Sequence, residues 1–151
     1  MKPRRLLVTV VLTMLAAAVV IAIPATAAPQ PLATLNAKLT TEVPGPGDPD
    51  GSGTAMFKVY KTKLCYRLSV MNIKPATMAH IHKGAKGQTG DIVVPTDQSS
   101  FKLPRPTSSG CEPIPSSLSM QIRQNPGNYY VNVHNKPYPE GAIRGQLRMM
   151  R

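Results

Sequence analysis

The chain has 151 residues, and its 18 lysines and arginines outnumber seven acidic residues to give a formal net charge of +11. That length suits one compact domain with its own core. The basic residues are scattered along the sequence. They do not cluster on a helix or strand that could contact the bases of a nucleic acid, which argues against a nucleic-acid partner. A surface this basic suits anionic neighbours of another kind.

Residues 1–27 have the organisation of a secretory signal peptide. A short basic start precedes an apolar run from Leu6 to Ile23, and Ala25 and Ala27 form a small-residue cleavage box. The apolar run is long enough to span a membrane, so an uncleaved anchor stays open as the alternative and would be the chain's contact with a membrane. Cleavage leaves residues 28–151 as a single domain with a core at about 34–149.

This N-terminal pattern predicts a protein that is secreted or associated with the cell envelope, outside the cytoplasm. The basic start holds three of the chain's positive charges, so the remaining domain keeps about +8 of the +11. We therefore expect its partners to be anionic cell-envelope polymers or another extracellular protein.

Short strands separated by proline- and glycine-rich turns make up the rest of the chain. Residue alternation predicts strands over residues 34–40, 54–60, 63–71, 78–82, 91–94, 129–134 and 142–149. Leu118 and Ile122 have helical spacing and predict one short helix over 116–124, whereas the prolines of 98–115 predict irregular structure. Strands without strand–helix alternation predict an all-β fold, an antiparallel β-sandwich or barrel with at most one short helix.

Cys65 and Cys111 are the two cysteines of the chain. An even number of cysteines in an exported protein predicts a disulfide bond. A pair of thiolates holding a soft metal is the alternative, and an oxidising compartment argues against it.

All three histidines fall in two similar segments, AHIHKG and YYVNVH. Because side chains alternate along a strand, Met78, His80 and His82 share one strand face, and His134 shares a face with Asn132. If the two strands are neighbours, the three imidazoles converge. Imidazoles suit zinc or copper, and the Met78 sulfur would add a preference for Cu(I). The alternative is structural: histidines that only hydrogen-bond to neighbours such as Asn132.

These segments also carry a resemblance to a known family. The chain resembles the CHRD (chordin-type) domain over about Leu35 to Leu147. The matching stretches are Glu42-Val43-Pro44, Gly53-Thr54-Ala55, AHIHKGAKGQTGDIVV and NPGNYYVNVHNKPYPEGAIRGQL. The resemblance implies a secreted or envelope-associated β-barrel of immunoglobulin-like type, found in bacteria as small exported proteins without an established activity.

In animals the domain occurs within chordin, an extracellular antagonist of bone morphogenetic proteins. Cysteine-rich repeats like those of chordin are absent from this sequence, so growth-factor binding does not carry over. The GAIRGQL motif supplies Arg144, Gly145 and Gln146, to which we assign structural roles. We expect Arg144 to pair with a carboxylate such as Glu140 or Glu42.

A looser similarity links the chain to copper-zinc superoxide dismutase, which is also a disulfide-bonded sandwich with a His-x-His copper arm. That copper site uses four histidines and the zinc site adds more, whereas this chain has three. The sequence also shows no nucleophile elbow or activated pair. It therefore predicts no enzyme but a non-catalytic extracellular or cell-envelope module. The alternative is an exported copper or zinc protein with His80, His82, His134 and Met78 as ligands.

Overall fold

The structure, a computed structural model, describes residues 27–41, 45–96 and 107–150. The predicted signal peptide up to residue 26 lies outside these ranges. Within them the chain forms β1 (Ala33–Thr41), β2 (Ser52–Val59), β3 (Lys63–Met71), β4 (Ala76–Lys83), β5 (Ile92–Thr96), β6 (Thr107–Pro113), α1 (Ser116–Gln124), β7 (Tyr129–Asn135), β8 (Ile143–Gln146) and β9 (Arg148–Met149). None of the helices in these ranges is long and apolar enough to cross a membrane.

All strands belong to one antiparallel sheet with the order β5-β4-β7-β8-β1-β2-β3-β6, and β9 pairs with β1. The two end strands β5 and β6 approach each other, so the sheet curls into a nearly closed barrel. The all-β antiparallel prediction is therefore confirmed, and α1 occupies the residues predicted for the one short helix.

Alternation of apolar and polar residues places the core inside this barrel. Leu35, Phe57 and Leu68 are fully buried on adjacent strands, and their polar neighbours along each strand face outward. Burial of each such side chain stabilises the fold by about 1.5–3 kcal/mol relative to exposure. The barrel is therefore held by side chains that the period-two pattern identifies.

The predicted disulfide is present and joins two strands of the barrel. Cys65 on β3 and Cys111 on β6 are directly opposite each other in the strand register, and their sulfurs are bonded. Among the described strands, β6 lies at one end of the sheet and pairs only with β3, so the disulfide fastens an edge strand to the barrel.

The prediction of irregular structure over 98–115 is wrong for its second half, because Thr107–Pro113 forms β6. This segment, TSSGCEP, lacks an apolar alternation, so the sequence pattern gives no strand signal there. An edge strand pairs on one side only and tolerates glycine and proline, as at Gly110 and Pro113.

The final predicted strand, 142–149, divides into two strands. The backbone N–H of Leu147 donates to the carbonyl of Tyr129, and the chain then turns to pair Arg148 and Met149 with β1. Gly145 lies where β8 passes over β1, and a Cβ atom at this position would overlap the carbonyl oxygen of Lys38. The glycine thereby allows the two strands to approach closely.

Candidate metal centre

The register of β4 and β7 brings the histidine segments together. The two strands are antiparallel neighbours, with Met78 opposite His134, His80 opposite Asn132, and His82 opposite Tyr130. Directly opposed residues in an antiparallel pair project from the same face of the sheet. All three histidines and Met78 therefore share one face, as their phase along the strands predicts.

The other face of these strands enters the core. Ala79, Ile81, Val131 and Val133 are fully buried and belong to the main hydrophobic cluster. The histidines consequently lie on the side of the sheet that is turned away from the core.

Two loops nevertheless cover this outer face. The exposed fraction is 5% for His80, 6% for His134 and 3% for Asn132, and His82 is half-buried. Every residue of β7 is buried, so this strand is covered on both faces. The site is therefore enclosed.

The first covering loop connects β4 to β5 and folds back on itself. The N–H of Lys83 donates to the carbonyl of Asp91 at 3.0 Å, which brings Gly90 beside the end of β4. A Cβ atom on Gly90 would overlap the carbonyl oxygen of Lys83, so this approach requires glycine. The carbonyl of Gly90 then accepts a hydrogen bond from Nδ1 of His82 at 2.8 Å.

The second covering loop is the turn from Asn135 to Gly141. The Asn132 side-chain amide donates to the Glu140 carbonyl at 3.0 Å, which holds the turn over the sheet. The carbonyl of Pro139 accepts a hydrogen bond from Nδ1 of His134 at 2.8 Å. Asn132 therefore uses its amide on this turn, and its buried Oδ1 has no hydrogen-bond partner among the described residues.

These carbonyl partners fix the tautomers of two histidines. A carbonyl oxygen only accepts, so Nδ1 carries the proton in both His82 and His134, and Nε2 of each neutral ring keeps a lone pair. Nε2 of His82 is buried and has no hydrogen-bond partner among the described residues. Nε2 of His134 lies 3.3 Å from Nδ1 of His80, which donates to it.

The three rings form one cluster. Their candidate ligand nitrogens all lie within 4.8 Å of one another. The centroid distances are 5.1 Å between His80 and His134, 5.8 Å between His80 and His82, and 6.4 Å between His82 and His134. The structure thus brings His134 to His80 and His82, from which it is more than 50 residues away in the sequence.

Burial keeps these imidazoles neutral. Loss of hydration and, to a smaller extent, the positive charges that His134 and His82 carry when protonated lower the pKa of His80 to about 4. Burial also lowers the pKa of His82 and that of His134, although the carbonyls of Gly90 and Pro139 partly oppose this shift. Neutral rings with available lone pairs are the form in which histidine binds a metal.

An aromatic and cationic stack closes one side of the cluster. The Tyr130 ring lies parallel to His82, with 4.9 Å between centroids and 7° between planes. The Arg144 guanidinium lies 3.4 Å from the centroid of the Tyr130 ring and donates to the carbonyl of Gln88 on the first covering loop. Arg144 is therefore a buried positioning group between the sheet and that loop.

The remaining motif residue, Gln146, also ties loops to the sheet. Its side-chain amide donates to the carbonyls of Gly84 at 2.6 Å and Gly127 at 2.7 Å. The expected pairing of Arg144 with a carboxylate such as Glu140 or Glu42 stays a prediction. Glu42 lies outside the described residues, and Glu140 belongs to the second covering loop.

Sequence reasoning missed the parts of the site that are backbone. The carbonyls of Gly90 and Pro139 orient two histidine rings, and no side-chain pattern identifies a carbonyl in advance. The available signals were the cluster of Gly84, Gly87 and Gly90, which indicates a tightly turning loop, and the turn sequence NKPYPEG.

Comparison with known proteins gives one family. The family model of the CHRD domain matches residues 35–147, which include every strand from β2 to β8 and both histidine segments. The search of curated proteins finds no match to the chain.

Proposed function

The chain belongs to the CHRD-domain family, and from this premise we propose that it is a non-catalytic, extracytoplasmic module that holds one copper or zinc ion with His80, His82 and His134. The CHRD domain is a non-enzymatic module, which sets the general class. The proposal adds the ion and the compartment.

The convergence of three neutral imidazoles is the observation that carries the proposal. Zinc bound by histidine has metal–nitrogen distances of 2.0–2.1 Å and tetrahedral angles, so two of its ligand nitrogens lie about 3.3–3.4 Å apart. Nδ1 of His80 and Nε2 of His134 are 3.3 Å apart. The widest separation among the three donors is at most 4.8 Å, so closing the cluster on one ion needs shifts of about 1 Å.

The hydrogen bonds around the rings also suit metal binding. Histidines that bind metals usually donate their other ring N–H to a carbonyl or carboxylate, which fixes the ring orientation and raises the basicity of the ligand nitrogen. His82 and His134 both donate from Nδ1 to backbone carbonyls. The buried, unpartnered Nε2 of His82 is a polar atom whose burial costs free energy unless a ligand satisfies it.

His80 is the ligand that must rearrange. Its Nδ1 donates a hydrogen bond to Nε2 of His134 in the structure. A metal at that position requires the Nδ1 lone pair, so His80 takes the tautomer with its proton on Nε2. Since the pKa of His80 is lowered to about 4, this exchange involves neutral tautomers at neutral pH.

Met78 bears on the choice of ion. It lies directly opposite His134 on the face that carries the histidines, and it is partly buried. A thioether is a soft ligand that selects Cu(I), whereas three imidazoles alone suit zinc or copper. The position of Met78 therefore favours copper in the reduced state.

Two features support an extracytoplasmic location. Residues 1–27 have the pattern of a signal peptide, and the Cys65–Cys111 disulfide is of a kind that persists in oxidising compartments. N-terminal sequencing of the protein recovered from outside the cytoplasm is expected to give Ala28 as the first residue. Recovery only from the cytoplasm, with Met1 retained, would contradict this location.

Metal titration tests the function. We expect the wild-type protein to bind one equivalent of Zn²⁺ or Cu⁺ with a dissociation constant below about 1 μM. His82→Ala removes the least buried ligand and should weaken binding by about 100-fold or more, since even partners of ligands contribute 10–100-fold. Equal affinities of the wild type and His82→Ala, with both proteins folded by circular dichroism, would refute the site.

A further inference from the structure

A basic groove crosses the outer face of the barrel and adjoins the histidine cluster at Arg144 and Gln146. Two adjoining cavities of about 660 and 510 Å³ share Lys38, Thr40, Gln146 and Arg148 in their linings. Together they form one continuous depression, which we call the basic groove. Among the described residues, its lining has no carboxylate and includes five cationic side chains, namely Lys38, Arg67, Lys86, Arg144 and Arg148.

Strand register explains why these charges form a line. Asn36 on β1 has Arg148 of β9 opposite it on one side and Met56 of β2 opposite it on the other. Met56 is in turn opposite Arg67 on β3. These four residues make one row across four strands. Neighbouring strands are about 4.8 Å apart, so the backbones at the two arginines are separated by about 14 Å. Lys38 lies in the adjacent row, two residues along β1.

Three of the five groove cations are exposed and have no acidic partner among the described residues, namely Lys38, Arg67 and Arg148. The described acidic residues all lie outside the lining, at Asp48, Asp50, Asp91, Glu112 and Glu140. Like charges held close together raise the local potential and attract anions.

We propose that the basic groove binds one kind of partner, a linear polymer that carries a repeated anionic group. The groove is long, open and recessed, and its cations are spaced along it instead of converging on one point. That arrangement matches charges repeated along a flexible chain better than a single small anion. A recessed groove is also poorly matched to the flat surface of a membrane. The proposal does not require a metal ion to be bound by the histidines.

Binding to defined polymers tests the proposal. The probes are poly(glycerol phosphate) and polygalacturonate, each titrated into the wild-type protein at physiological ionic strength. The groove variant is Lys38→Gln/Arg67→Gln/Arg148→Gln. The control variant, Lys61→Gln/Lys74→Gln/Lys136→Gln, removes the same charge from exposed lysines outside the groove.

We expect at least one polymer to bind the wild-type protein. The groove variant should bind it about tenfold more weakly or worse, and the control variant should stay within about threefold of the wild type. Thermal unfolding verifies that both variants are folded, and Lys38→Gln alone, an exposed single change, gives a second measurement in the same direction. The preferred polymer distinguishes phosphodiester from carboxylate recognition.

Three results would overturn the proposal. They are absence of binding of either polymer at physiological ionic strength, equal loss of affinity in the groove and control variants, and binding to anionic lipid vesicles without binding to either polymer. Equal losses would mean that total charge, and not the groove, determines binding. None of these results would change the metal titration.

Discussion

Nδ1 of His80 and Nε2 of His134 lie 3.3 Å apart, on neighbouring strands and 54 residues apart in sequence. A hydrogen bond of that length is at the weak end of the range, yet the same separation fits two ligands of one tetrahedral ion. Under the proposed function, an ion would bind between these two nitrogens in place of the proton that they share. His82, with its unpartnered Nε2, completes the set.

Met78 should decide the preference between copper and zinc. We expect Met78→Leu to weaken Cu⁺ binding by about tenfold or more, because the change removes a soft thioether while keeping a side chain of similar volume. Zn²⁺ affinity should change by less than about threefold. Competition titrations with chelators of known affinity measure both constants.

Met120→Leu is the matched control, since Met120 is an exposed methionine of α1. It should leave both affinities unchanged. Equal losses of Cu⁺ and Zn²⁺ affinity in Met78→Leu would indicate that Met78 only packs against the site and does not bind the ion.

Gly90 should support the site through its backbone. Gly90→Ala places a methyl group against the Lys83 carbonyl, which pushes the first covering loop away and removes the carbonyl that orients His82. Loss of such an orienting partner typically costs 10–100-fold in metal affinity. Gly127→Ala is the control, because a Cβ atom there meets nothing within 4 Å. If both variants bind metal with the affinity of the wild type, the orientation of His82 by this loop does not contribute to metal affinity.

Stability of the metal-free protein should fall in mild acid. Burial lowers the pKa of all three histidines, that of His80 from 6.5 to about 4. Between these values the unfolded chain binds more protons than the folded chain, so the free energy of unfolding is fully retained above pH 6.5 and decreases as the pH falls toward 4. The contribution of His80 alone is about 3 kcal/mol.

Urea unfolding at pH 7 and pH 4.5 measures this effect. The His80→Gln variant cannot gain a proton at this position and should lose part of the difference between the two pH values. A wild-type stability that rises on acidification over this range would contradict the burial of neutral histidines.

The disulfide should affect stability without affecting metal binding. Replacing both cysteines, Cys65→Ser/Cys111→Ser, opens a loop with a sequence separation of 46 residues. The chain-entropy relation gives a loss of about 4 kcal/mol in the free energy of unfolding. The bond joins β3 and β6, neither of which carries a histidine, so metal affinity of the folded variant should stay within about twofold. A large loss of affinity would mean that the two regions are coupled.

The strands and the phase of the histidines could be predicted because both follow from period-two alternation. Met78, His80 and His82 share a face for the same reason that Leu64, Tyr66 and Leu68 share the core face. The family could also be recognised, since AHIHKG and GAIRGQL are specific motifs, and the match over 35–147 confirms it.

The rest depends on contacts between distant parts of the chain. No local sequence pattern predicts that β4 pairs with β7, or that two loops cover the outer face of these strands. The edge strand β6 was missed because TSSGCEP owes its extended form to pairing with β3 and to the disulfide, not to its own propensity. The roles of the Gly90 and Pro139 carbonyls could not be predicted, because backbone groups leave no pattern in the sequence of side chains.

X-ray absorption spectroscopy at the metal edge tests the central claim most directly, with the protein loaded with one equivalent of Zn²⁺ and separately of Cu⁺. We predict one ion per chain with three imidazole nitrogens, at about 2.0–2.1 Å in the zinc form, and loss of one imidazole in the His82→Ala variant. An ion whose first shell holds no imidazole, or a chain that retains no ion after gel filtration, would contradict the account.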